Sequence, residues 1–251
     1  MFTVVFADMC YILSSMTTDL IRFTVLTALS VTVLAHCALL IFLFLRYTKI
    51  VNSWILCAVV LYSCLWTVSV VGSILAPDIL WLSARYHFGI GMLGFLYLYL
   101  AHFPKEVKLL TQHSVIAFMM FTIALLAFLP NAIITHLDMV GYGYQNTWDG
   151  WLYPIARFAM FFSFICIATV LVNHLRKVRG AVRIILLELT ISVILILIIN
   201  LLCVSILPYF GITSFVALTP ISNIILLMTI ATFIVTAPTA GLHKHMPAQV
   251  K

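Results

Sequence analysis

The sequence predicts an all-α, polytopic membrane helix bundle of about seven transmembrane helices, with its N-terminus outside and its C-terminus in the cytoplasm. Three observations carry this reading. Of 251 residues, 65% are hydrophobic and 8% charged, where a soluble domain runs at roughly half apolar and a quarter charged. The apolar residues form continuous runs, each near the roughly 20 residues that cross about 30 Å of hydrocarbon. Lys and Arg gather on alternate loops, as the positive-inside rule requires. Disorder is excluded by the same composition, because disordered chains are apolar-poor and charge-rich.

The elements follow in order. Residues 1–22 carry Asp8 and Asp19 and lack the basic start and small-residue cleavage site of a secretory signal; they read as an extracytoplasmic segment at the membrane interface. The transmembrane domain occupies 23–237. Its spans are about 23–45, closed by Arg46 and Lys49; 54–76, closed by Pro77 and Asp78; 86–103, closed by Pro104 and Lys105; 114–130; 152–173, closed by Arg176, Lys177 and Arg179; 184–207, ending at Pro208; and 214–237, ending at Pro238. Residues 238–251 form a short cytoplasmic tail. Backbone groups cannot stay unpaired in lipid, so each span is expected to be a helix. The runs do not alternate, which argues against a β-barrel.

With the loops after spans one, three and five inside along with the C-terminal tail, ten of the thirteen Lys and Arg are cytoplasmic. Arg22, Arg85 and Arg157 fall outside, together with Asp8, Asp19, Asp78, Asp138 and Asp149. The net charge of +6 is thus accounted for by topology, with no nucleic-acid partner implied. The outside loop 131–151 holds Tyr142, Tyr144, Trp148 and Trp151 among glycines. Long loops tend to be functional or mobile, and Tyr and Trp also favour the interface for its own sake; both readings stand.

Gly89, Gly91 and Gly94 spell G-x-G-x-x-G, but no strand precedes them, as a dinucleotide site would need. Inside span three they read as small residues for close helix packing. No span holds a lysine for a retinal Schiff base. The six cysteines lack disulfide or metal spacing and read as small buried hydrophobes. His36, His87, His102, His136 and His174 offer no i, i+4 ligand pair, so no metal or other cofactor is expected. Zinc-protease, G-x-S-x-G and Walker A motifs are missing, so no enzymatic activity is expected. Glu188 is expected to meet the basic inner loop near Arg183.

Polar groups within the membrane are costly and mark function by default. Arg157 lies about one turn into span five, Arg85, Tyr86 and His87 sit at the outer mouth of span three, and Asn200 and Asn223 fall in spans six and seven. Arg85, His87, Trp148, Trp151, Arg157 and Asn223 are the expected lining of an outward-facing ligand cavity, with Trp81 beside them. The competing reading has the arginines snorkelling to the interface and the asparagines joining helices.

Span three ends in Phe103-Pro104, and span four in Leu129-Pro130-Asn131 before the aromatic loop. Span five leads to the basic turn Leu175-Arg176-Lys177-Val178-Arg179-Gly180 and then Arg183. Span six ends in Ile206-Leu207-Pro208, and span seven opens with Leu218-Thr219-Pro220-Ile221. In this order and spacing, residues 20–238 resemble the seven-transmembrane N-terminal sensor region of bacterial histidine kinases. The resemblance implies a sensor or receptor module of the bacterial inner membrane, binding a small apolar or amphipathic ligand or sensing the bilayer itself. It departs from the family in lacking a phosphoacceptor box and nucleotide-binding glycines, which implies a stand-alone relative or a fragment. Output then needs a cytoplasmic or membrane signalling partner, with Arg176, Lys177, Arg179 and Arg183 as its expected contacts. The alternative is a transporter or an accessory subunit of a larger membrane complex, weakened by the absence of an internal repeat and of a central acid for ion coupling.

Overall fold

The computed structural model describes residues 2–45, 53–76, 78–102, 111–129, 131–133, 135–140, 143–147, 150–177, 181–202, 225 and 228. Among them are six helices and one hairpin: α1 (Phe2–Leu45), α2 (Ser53–Leu75), α3 (Ile79–His102), α4 (Gln112–Leu126), α5 (Tyr153–Lys177) and α6 (Ala181–Leu201), with β1 (His136–Val140) and β2 (Gly143–Thr147) between α4 and α5. The segments Arg22–Leu45, Ser53–Leu75, Ile79–His102 and Tyr153–Lys177 are long and apolar enough to cross a membrane, the mark of an integral membrane protein.

The helical expectation holds with adjustments. Residues expected as a separate interfacial segment instead run without a break into α1, a single helix of 44 residues. The third span starts earlier than hydropathy suggests. Asp78 Oδ1 accepts from the Leu80 amide at 3.0 Å, an N-terminal cap that starts α3 at Ile79. The fourth is shorter: α4 has 15 residues, about 22 Å at 1.5 Å per residue. Thr111 caps it, its hydroxyl accepting from the Ser114 amide. The expected seventh span, the far end of the sixth and the tail lie outside the described residues, Ile225 and Met228 apart.

Side-chain pairs fix the directions of the helices. Arg22 meets Ile74, and His36 meets Ser63, so α1 and α2 are antiparallel. Trp81 lies over Gly72, and Tyr62 over Gly91, so α2 and α3 are antiparallel. His87 meets Ala124, and Tyr97 meets His113, so α3 and α4 are antiparallel too. Tyr86 stands beside Tyr153 and Tyr97 near Cys166, making α5 parallel to α3. Helix α3 is central, packed against α2, α4 and α5, with α1 outside α2 and α6 outside α5.

Leu56, Val59, Leu82, Ile90, Leu93 and Leu96 are buried around α3, while Leu34, Phe44, Phe118, Phe158, Ile165 and Ile191 are exposed. Outward faces as apolar as the core are what lipid, rather than water, accepts. Hydroxyl groups in the helices bond back to carbonyls four residues earlier, Thr32 to Ala28, Thr67 to Ser63, Ser163 to Ala159 and Thr190 to Leu186. Each polar group is thereby satisfied without water.

The glycine motif is a packing device. A Cβ at Gly91 would lie 2.5 Å from the Tyr62 ring, and one at Gly94 3.1 Å from Phe121. No strand adjoins it among the described residues, and the three glycines lie mid-helix.

The aromatic loop contains the one departure from an all-helical chain among the described residues. Strands β1 and β2 pair antiparallel, His136 opposite Thr147 and Val140 opposite Gly143. Asn131, at φ 55°, turns the chain out of α4 in the left-handed conformation that Asn tolerates. The base is closed by the Leu152 amide donating to Ala132 O at 2.8 Å. A Cβ at Gly150 would sit 2.4 Å from that same carbonyl oxygen, so the close approach needs glycine.

Candidate ligand site between the N-terminal halves of α3 and α5

Asp78 caps α3, and the loop base delivers α5 alongside it, so the first turn of α5 stands beside α3 about two turns in from its start. Tyr86, 9% exposed, meets Tyr153 edge to face with ring centroids 6.3 Å apart. Arg157 reaches back one turn and donates from NH1 to the Tyr153 hydroxyl at 3.1 Å, its guanidinium carbon 5.9 Å from the same ring's centroid. Arg85 and Arg157 both act electrostatically on the Tyr86 hydroxyl. Both arginines are half-buried. The result is a Tyr86–Tyr153–Arg157 cluster joining α3 to α5, with the Arg85 guanidinium within electrostatic range of the Tyr86 hydroxyl.

The expected cavity residues therefore divide. Arg85 and Arg157 both lie within electrostatic range of the Tyr86 hydroxyl, and Trp151 lies exposed just ahead of α5. His87 does not join them. Consecutive helical residues point about 100° apart, so with Tyr86 facing α5, His87 faces α4. There its Nδ1–H donates to Ala124 O at 3.0 Å, and its ring packs 4.4 Å from Phe128 and 5.8 Å from Tyr62. Trp81 is likewise spoken for, its ring pressed onto Gly72. Trp148 and Asn223 lie outside the described residues.

Comparison with protein-family models, with curated proteins and with solved structures returns no match. The site is therefore read from its own geometry.

Two groups that sequence reasoning passed over complete this end of the bundle. Arg22 NH2 donates to Ile74 O at 2.9 Å, satisfying a carbonyl in the last turn of α2, where a cation also meets the negative end of the helix dipole. Tyr153 is the second, since nothing in its local sequence marks it as a partner for Tyr86.

At the opposite ends of the helices, Arg176 and Lys177 are exposed in the last turn of α5, and Arg183 is exposed in the first turn of α6. Arg179 lies outside the described residues. Glu188 is exposed, and among the described residues no ion pair joins it to Arg183; five positions apart on one helix, the two point in different directions. Among the described residues no group of three or more His, Cys, Asp or Glu could hold a metal ion. Cys37, Cys57, Cys64 and Cys166 are free thiols. Cys64 on α2 is buried, and Cys37 on α1 is exposed rather than buried.

Proposed function

We propose that this chain is a membrane-embedded sensor or receptor module, crossing the cytoplasmic membrane about seven times with its N-terminus outside. In this reading an amphipathic ligand places an anionic head between Arg85 and Arg157 and its apolar part against the surrounding helices. One observation carries the reading: a single helix, α5, has the Arg157–Tyr153 pair at its start and exposed Arg176 and Lys177 at its end. Its 25 residues span about 37 Å, enough to join the two faces of a bilayer. A ligand shifts such a module only by binding its two arrangements with different affinity, and a cluster bridging α3 and α5 senses their relative position. The partner then docks on Arg176, Lys177, Arg179 and Arg183.

Purification of the full chain from native membranes in mild detergent, with mass spectrometry of what travels with it, tests this. A kinase or response regulator is expected with the parent chain and with Arg157→Gln, and is expected to be lost from Arg176→Ala/Lys177→Ala. Stoichiometric recovery of transport or respiratory subunits without a signalling protein would overturn the reading and make the chain an accessory subunit.

A further inference from the structure

Helix α6 is an outer helix of the bundle, packed mainly against α5. It turns Leu186, Leu189, Val193 and Ile196 inward, all of them buried. Ile184, Leu187, Ile191, Ile194 and Ile198 stand on the opposite side, each between 41% and 61% exposed. They are spaced three, four, three and four residues apart, as the a and d positions of a heptad repeat are. Such a stripe alone says little in a membrane, because lipid tails are as apolar as the stripe itself.

The charges beside the stripe say more. Arg183 and Glu188 are both exposed, and among the described residues neither side chain has a partner. Glu188 lies inside the apolar run Leu186–Ile199, where a lone carboxylate is costly. With Ile184 at a and Leu187 at d, Arg183 falls at g and Glu188 at e. Five residues advance a helix by about 7.5 Å and leave the two positions about 140° apart. Within one helix that spacing keeps the charges on opposite flanks of the stripe. Between two parallel helices in register it does the reverse. The g residue of one then meets the e residue five positions on in the other, where interhelical salt bridges form. Two copies in one membrane share an orientation, so their α6 helices run parallel. Two-fold symmetry makes the contact twice, Arg183 of each copy meeting Glu188 of the other. Isoleucine at the a positions and Leu187 at the first d follow the two-stranded preference, from which Ile194 at the second d departs.

We propose that the outward face of α6 is a homodimer interface: a parallel seam of Ile184, Leu187, Ile191, Ile194 and Ile198, held in register by two reciprocal Arg183–Glu188 ion pairs. This takes Arg183 from the set offered to the cytoplasmic partner above and leaves Arg176 and Lys177 to it. The ligand reading is not needed for it.

The test uses the full chain, freed of native cysteines, in membranes and in mixed micelles. Under mild oxidation in membranes, Ile191→Cys is expected to give a disulfide-linked dimer, whereas Leu34→Cys, exposed on α1, is not. In micelles, energy transfer between labelled copies over a dilution series measures self-association. Arg183→Glu and Glu188→Arg are each expected to weaken it about tenfold, since two modest ion pairs are lost and two repulsions gained. The double variant Arg183→Glu/Glu188→Arg restores both pairs with their signs reversed. It is expected to recover most of the parent affinity, which damage to the fold would not do. Single reversals that associate as tightly as the parent would overturn the proposal, as would a double variant as weak as the singles. Ile191→Cys linking no better than Leu34→Cys would also overturn it. So would a monomeric chain whose Ile191→Cys links to a different membrane protein, which would assign the face to that protein.

Discussion

His36 shows how a polar side chain survives inside this bundle. It is fully buried, with Nδ1 2.6 Å from Thr32 O and Nε2 2.7 Å from Ser63 Oγ. A carbonyl only accepts, so Nδ1 carries the hydrogen and the neutral ring accepts from Ser63 at Nε2. One bond stays within α1, and the other crosses to α2. Ser63→Ala removes the crossing bond and leaves a buried acceptor unmet. The expected loss is about 0.5–2 kcal/mol, the range of interhelical hydrogen bonds in membranes and of unmet buried groups. It is measured by reversible unfolding in mixed micelles, with Ser63→Thr expected to recover most of it. An unchanged midpoint for Ser63→Ala would mean that the His36 contact contributes nothing.

At the scale of the element, α3 is shaped by what its neighbours press against it. The Tyr62 ring occupies the space beside Gly91, and its centroid lies 5.1 Å from that of Phe95. Gly91→Ala forces that ring or the helices apart, at an expected cost of about 1–3 kcal/mol, as overpacking does. Gly89→Ala meets Trp66 at an ordinary 3.7 Å and is expected to be tolerated. Thermal unfolding of the two variants side by side checks the contrast, and equal losses would contradict it. The same helix shows what local sequence conveys. Its apolar length was legible because lipid demands continuous runs, and its glycines read as packing residues because no strand preceded them. The sharing of Arg85, Tyr86 and His87 among different neighbours was not legible as one cavity, because adjacent helical residues diverge and each face belongs to another part of the chain. The contacts of His113 were hidden for the same reason: Tyr97 and His102 reach it from another helix. The β1–β2 hairpin escaped too, since its pairing depends on register between strands rather than on an apolar run.

For the molecule as a whole, antiparallel succession from α1 to α4 and parallel α3 and α5 put Trp151 and Arg176 at opposite ends of α5. The orientation proposed above, with the basic loops inside, expects Trp151 to face outward and Arg176 to face the cytoplasm. In a background freed of native cysteines, Trp151→Cys is expected to react with a membrane-impermeant maleimide on intact spheroplasts, and Arg176→Cys only after permeabilisation. Labelling of both from one side would refute the orientation. The clasp at the base of the loop has a consequence of its own. Because the Leu152 amide and Gly150 hold the chain against Ala132, the excursion that carries β1 and β2 leaves the helices and rejoins them at nearly one point. The cost of closing such a ring grows only slowly with its circumference, and that circumference does not enter the spacing between the end of α4 and the start of α5. Changes of length at the hairpin's tip are thus uncoupled from the spacing of α4 and α5, while β2 itself stays tied to the bundle through its packing beside α2.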